Sequence, residues 1–263
     1  MTDKFASLMG CTKYIIAAIH TLPLPGSPYY DPEGGMNKII TNAKNDAKIL
    51  AGEGVQSFLF TNEADMPYKF RIEKETITAL TVVISEVMQD YCIPFGVNVL
   101  IDAYAGFCIA HATSASFIRG LFAGVYVSDN GIIENQGSNI FQARSNLRTD
   151  KPYFIHNLNS PIGQQYVKRT GEEECKSIMS HIPVDGFTLP SFDTETFSKV
   201  KKLEPNMPLL VGTGTNMKNL ESLLSMCDGA IVATCLHIEG KLLNPVDPVR
   251  VHEFMTLYRK IVS

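Results

Sequence analysis

The sequence predicts a single-domain (β/α)8 barrel, a TIM barrel spanning residues 1–263. Three observations lead there. Short apolar segments rich in Val, Ile and Phe recur eight times along the chain, and stretches with helical spacing lie between them. A length of 263 residues suits eight such units, and 45% hydrophobic residues suffice for a barrel core inside a ring of helices. No G-x-G-x-x-G follows the first segment, which argues against a doubly wound dinucleotide fold.

The strand candidates are residues 14–20 (YIIAAIH), 57–63 (SFLFTNE), 94–102 (PFGVNVLID), 116–120 (SFIRG), 152–158 (PYFIHNL), 184–189 (VDGFTL), 207–214 (MPLLVGTG) and 229–234 (GAIVAT). Helical spacing marks 37–54, where Ile39, Ala43, Ala47 and Leu50 share a face, and also 73–92 and 105–115. A helix over 167–182 is weakened by Gly171. One over 193–205 opens on Asp193 and stops before Pro205, and one over 216–227 aligns Leu220, Leu223, Leu224 and Cys227. The last, 247–262, has Asp247 as cap and Pro248 at the first helical position. The segment after the fourth strand, GVYVSDNGII, reads as a long loop with a turn at Asp-Asn-Gly.

Composition excludes several classes. The net charge is −4 with no Lys/Arg block, so no nucleic-acid footprint is present. Six cysteines without a CxxC pair read as buried thiols in a reducing, cytoplasmic setting. No apolar run reaches the roughly 20 residues of a transmembrane segment, and no secretory signal opens the chain. Barrels of this size commonly pair, which predicts a homo-oligomer.

Barrel chemistry gathers at the C-terminal strand ends. There the sequence places His20 after strand 1, Glu63 after strand 2, Asn98 and Asp102 at even spacing on strand 3, Arg119 on strand 4 and Asp129 on the following loop. His156 and Asn157 lie at the end of strand 5, Gly212 and Gly214 at the end of strand 7, and strand 8 gives Thr234 at its end and His237. His20, Glu63, Asp102 and Asp129 are the candidate catalytic residues, with His20 as a general base because an ordinary imidazole titrates near neutral pH. Asn98, Arg119, Gly212, Gly214, Thr234 and His237 are the candidate ligand-binding residues. Each has a packing alternative: Glu63 and Asp102 could balance Arg119, and the two glycines could serve a tight turn.

LLVGTGTN, residues 209–216, is not a phosphate-binding Walker loop, because no Gly-Lys-Ser/Thr follows. At the seventh strand of a barrel, however, two glycines can expose backbone amides to an anion, with Asn216 capping the next helix. On this reading Gly214→Val removes anion binding and leaves the barrel folded, and affinity rises as pH falls and His237 charges. A metal site from His20, Glu63 and His237 has no supporting ligand spacing, so no metal is expected, and no cofactor is identified.

The segments IIAAIHTLPLPGSP (15–28), GVNVLIDA (96–103), FIRGLFAGVYVSDNGII (117–133), LLVGTGTNMKN (209–219) and GAIVATCLHIEGKLLNPVDPVRVHEFM (229–255) resemble successive motifs of the BtpA/SgcQ family, in a divergent form. The resemblance implies a TIM-type barrel and does not fix a reaction, so whether the chain is an enzyme stays open. It also implies departures. Where the family carries Arg-Asn-Asp this chain has Ile101-Asp102; a Lys-His pair becomes Asn157-Leu158; a Thr-Gly pair becomes Leu189-Pro190; and a Lys becomes His237. The expected ligand is a small anionic, phosphorylated metabolite of sugar-phosphate or nucleotide metabolism, met with fewer cations than the family provides. The alternative is a non-catalytic assembly or stability factor for other proteins.

Overall fold

The structure, a computed structural model, describes residues 4–263. In chain order its elements are α1 (Lys4–Met9), β1 (Tyr14–His20), α2 (Gly35–Gly52), β2 (Ser57–Thr61), α3 (Lys74–Met88), β3 (Phe95–Asn98), α4 (Ala103–Thr113) and β4 (Phe117–Gly120). There follow β5 (Val125–Ser128), β6 (Gly131–Glu134), α5 (Gly137–Asn146), β7 (Tyr153–Asn157), β8 (Gln164–Gln165), α6 (Gly171–Met179), β9 (Gly186–Pro190) and α7 (Thr194–Leu203). The chain ends with β10 (Leu209–Thr213), α8 (Leu220–Met226), β11 (Gly229–Val232), two short 3-10 turns and α9 (Pro248–Val262). The barrel closes in the order β1-β2-β3-β4-β7-β9-β10-β11, with every neighbouring pair parallel.

Strand alternation fixes what faces inward. In β1, Ile15, Ala17 and Ile19 pack outward against the helices, while Tyr14 and Ile16 join an interior cluster with Leu59, Phe117, Ile155, Leu210 and Ile231. Phe5 of α1 plugs the N-terminal end of that cluster, its ring 5.8 Å from Phe117 and 5.6 Å from Tyr153. Two residues beyond the apolar layer the same rule brings Thr61, Arg119, Asn157 and Gly212 to the inner face, with His20 at the top of β1. An apolar floor and a polar mouth are therefore written into one periodicity.

Caps fix several helix starts. Asp247 Oδ1 accepts from Val249 N at 2.9 Å, just ahead of Pro248. Thr170 and Glu173 form a reciprocal capping box, so Gly171 falls at the first position of α6, where it does not interrupt the helix. Asn216 forms an Asx turn, accepting from Lys218 N at 2.9 Å, and α8 begins only at Leu220. Among the described residues all six cysteines are free, and no helix is long and apolar enough to cross a membrane.

The segment after β4 is not a plain loop. Val125, Val127 and Ile132 are exposed while Tyr126 and Ile133 are buried, so a period of two runs on both sides of the Asp129-Asn130 turn. The hairpin pairs with β8 into a three-stranded sheet, and α5 returns the chain to β7. This sheet is bolted to the barrel through Glu174 of α6. Its Oε1 accepts from Tyr126 Oη at 2.7 Å and Gln165 Nε2 at 2.8 Å, and its Oε2 accepts from Asn159 N at 3.0 Å. Burial pushes this carboxyl up, yet His156, Tyr126 and the Asn159 amide together outweigh burial and hold it below the usual range. Glu174→Ala strands these donors, and we expect a loss of about 2–3 kcal/mol, read as a fall of roughly 5–10 °C in the thermal midpoint. An unchanged midpoint would show that the sheet is not anchored this way.

Candidate active site at the barrel mouth

A cavity of about 180 Å³ opens at the C-terminal end of the barrel, lined by Ala18, His20, Leu59, Thr61, Glu63, Asn98, Arg119, Gly212, Thr213, Gly214, Thr215, Ile231, Ala233, Thr234 and Leu242. Seven of the residues picked from sequence thus come together: His20, Glu63, Asn98, Arg119, Gly212, Gly214 and Thr234.

Arg119 is the cation of this cavity. Its Nε donates to Asn157 Oδ1 at 2.7 Å, and the same oxygen accepts from Thr188 Oγ1 at 2.6 Å, so strands β7 and β9 aim the guanidinium. No carboxylate among the described residues lies within 4.0 Å of it. Burial draws its pKa down to about 10, opposed by the more distant Glu63 carboxylate, so it stays charged at neutral pH. Gly212 makes the space: a β-carbon there would stand 2.9 Å from Arg119 Nη2 and 2.9 Å from Thr188 Cβ.

On the wall of the same cavity, the loop after β10 carries unused donors. Among the described residues nothing accepts from the amides of Gly214 and Thr215, and the buried Thr215 Oγ1 has no partner. Gly214 has φ +86°, which turns the chain, and its missing β-carbon leaves room for the Ser191 hydroxyl. Both glycines therefore have packing reasons as well as a place on the cavity wall. A guanidinium, two free amides and a hydroxyl are the donor set that a tetrahedral oxyanion satisfies.

Two titratable groups border these donors. Burial pushes the Glu63 carboxyl up, against the Tyr68 hydroxyl at 3.3 Å and the charge of Arg119. Burial, with the nearby His237 and Arg119, draws His20 down to about 3. The imidazole is therefore neutral at working pH, a hydrogen-bonding group more than a proton carrier, and its buried Nδ1 has no partner among the described residues. Proton transfer at this mouth falls more naturally to Glu63.

The remaining candidates lie elsewhere. β3 stops at Asn98, and Ile101, with φ 69°, breaks the even spacing that aligned Asp102 with it. Asp102 instead caps α4, accepting from Ala105 N at 3.1 Å and Ile72 N at 2.9 Å. Asp129 is exposed on the β5–β6 turn. β11 ends at Val232, so Thr234 belongs to the loop beyond it. His237 is buried beside His20, their ring centroids 5.7 Å apart, and borders an adjoining chamber rather than the central cavity. Among the described residues no group of three His, Cys, Asp or Glu side chains could hold a metal ion. Sequence reading missed Thr61 and Thr215 on the cavity wall and Thr188 behind Arg119. Thr61 and Thr188 fall on inward positions of their strands, a signal available from alternation alone.

The barrel resembles solved structures of N-(5'-phosphoribosyl)anthranilate isomerase from Pyrococcus furiosus (TM-score 0.57, 13% identity, 94% of this chain and 99% of that one) and orotidine 5'-phosphate decarboxylase from Pyrococcus horikoshii (TM-score 0.57, 11% identity, 93% and 99%). At such identities the likeness shows the fold. The sequence is 33% identical over 257 residues to the sgc region protein SgcQ of Escherichia coli, covering 94% of this chain and 95% of that one. It is 27% identical over 253 residues to the photosystem I biogenesis protein BtpA of Synechocystis, covering 92% and 86%. Residues 11–260 match the sequence profile of the BtpA family, and with SgcQ similar over nearly its whole length, the chain belongs to that family.

Proposed function

We propose that the barrel mouth binds a small phosphorylated metabolite, with the anion held between Arg119 and the loop after β10. The observation that carries this reading is a guanidinium without an ion pair among the described residues, on the wall of the same cavity as two free amides and the orphaned Thr215 hydroxyl. A desolvated cation without a counter-charge is costly, and an anion from solution supplies that charge. Glu63, with its raised pKa, stands where it could exchange a proton with the bound molecule, and neutral His20 would orient it. Two of the structural neighbours are named for a phosphoribosyl and a 5'-phosphate compound, which agrees with this reading at the level of fold.

The test is calorimetry with sulfate, whose charge stays fixed over the range used. Raising pH deprotonates Glu63, which then repels the anion and competes for Arg119. Sulfate should bind one to one, tighten as pH falls through the raised Glu63 range, and lose that dependence in Glu63→Gln. Absence of sulfate and phosphate binding at millimolar concentration would sink the proposal.

A second reading, a non-catalytic assembly factor, draws on the outer face of the small sheet. Val125, Val127 and Ile132 are 41%, 44% and 60% exposed there, and register places Val127 opposite Ile132. Cells lacking the protein separate the two readings. Under the first, Arg119→Met fails to restore them; under the second, a Val127→Ser/Ile132→Ser pair fails and Arg119→Met succeeds.

A further inference from the structure

Beside the central cavity lies a second and larger one of about 750 Å³. Both are bordered by His20 and Leu242, so they adjoin. The sizes suggest a division of labour. Sites for whole small molecules run to roughly 300–1,000 Å³; the central cavity, at about 180 Å³, suits an anionic group with little attached.

The walls of the chamber are mainly apolar and aromatic, with Leu22, Met66, Tyr29 and Tyr68 among them. Among its polar groups, which also include the Thr21 hydroxyl and the Asn42 and Asn130 amides, two buried ones offer acceptors. His237 Nδ1 lies 2.5 Å from the carbonyl oxygen of Asn244, which can only accept, so Nδ1 holds the proton. In the neutral form of the ring Nε2 is then an acceptor, buried and without a partner among the described residues. Asp46, only 3% exposed, also borders the chamber; its carboxylate accepts from Val246 N at 3.2 Å and Asn42 Nδ2 at 3.4 Å, and it interacts electrostatically with His237. Each carboxylate oxygen retains a further lone pair. A polyol would leave hydroxyls unsatisfied against the apolar walls, and a bare hydrocarbon would leave His237 Nε2 orphaned.

Resting on the anion reading above, we infer that the chamber holds the other end of the same ligand: a flat, largely apolar ring bearing an exocyclic amino group with two N–H donors, joined to the phosphate held in the central cavity. Tyr29 and Tyr68 would line its faces and Asp46 and His237 would take its donors. Small sugar phosphates lack this second half and should bind as weakly as phosphate itself.

Calorimetry on the wild-type chain would compare inorganic phosphate, glycerol 3-phosphate, phenyl phosphate and adenosine monophosphate. Adenosine monophosphate should bind at least ten-fold tighter than inorganic phosphate, with phenyl phosphate between and glycerol 3-phosphate close to inorganic phosphate. Leu243→Trp, at an exposed position on the chamber rim, should remove that excess and leave inorganic phosphate unaffected. Asp46→Asn should weaken adenosine monophosphate and spare phenyl phosphate. Equal affinity for adenosine monophosphate and glycerol 3-phosphate, or an excess that survives Leu243→Trp, would overturn the inference while the anion site stands. Failure of the anion site has its own signature: inorganic phosphate does not bind, and Arg119→Met changes nothing for any of the four compounds; that result overturns the joined ligand as well.

Discussion

Arg119→Met should abolish anion binding at the barrel mouth and leave the protein as stable as before, or more so. The two halves of this expectation have one origin. The guanidinium is half-buried without a carboxylate partner among the described residues, and burial lowers its pKa to about 10. Replacing such a charge by an apolar chain of similar length is commonly neutral or stabilising by 1 kcal/mol or more. With the anion bound, the same group would donate charge-assisted hydrogen bonds at about 1.5–3 kcal/mol each. Losing two of them lowers affinity by roughly 100-fold or more. Asn157 Oδ1 keeps its hydrogen bond from Thr188, so the variant strands no buried acceptor behind it. Sulfate calorimetry and a thermal melt on one preparation decide the matter. Weaker binding with an unchanged or higher midpoint is the expected pair; unchanged binding would remove Arg119 from the site, and a large drop in midpoint would make it a structural residue of the barrel wall.

The fold could be read because its signal is repeated: eight apolar strands, seven of them with helical spacing after them, point to one architecture even where individual boundaries shift by up to four residues. The site was legible where a residue lies inside a strand. Asn98 and Arg119 follow from alternation, as does His20 at the end of β1. It failed one step past the strand, where backbone conformation and not period sets direction. Ile101 at φ 69° turned Asp102 from the cavity to the helix cap, and strand β11, ending at Val232, let the chain carry His237 to a different chamber. The state of a side chain is less legible still. His20 was placed by its position, but its neutrality comes from burial together with His237 and Arg119, groups far away in sequence.

Gly214 and Gly212 should respond in opposite ways, and that contrast answers what two glycines do at the end of β10. From sequence, Gly214→Val blocks an anion and spares the fold. The structure changes this expectation, because Gly214 adopts φ +86° and a β-carbon there would run into the Ser191 hydroxyl. A left-handed conformation costs an ordinary residue roughly 1–2 kcal/mol, and a β-branched side chain crowded against Ser191 adds to it. Gly214→Val should therefore lose about 3 kcal/mol, or roughly 6–12 °C in thermal midpoint, with Gly214→Ala losing about half as much. Gly212 carries no such φ, so Gly212→Ala meets only a crowding problem: its β-carbon would press on Arg119 Nη2 and on Thr188 Cβ, both at 2.9 Å. The guanidinium is the movable partner and would leave its present place on the cavity wall, while Thr188 Cβ, set close to its backbone, yields only by a small local shift. Gly212→Ala should thus cost more in sulfate affinity than in stability, and Gly214→Ala more in stability than in affinity. Melting curves and sulfate titrations of the two alanine variants, measured together, check this. If Gly212→Ala binds sulfate as the wild type does, its role is packing alone, and the donors of the loop would have to hold the anion without a guanidinium set by that glycine.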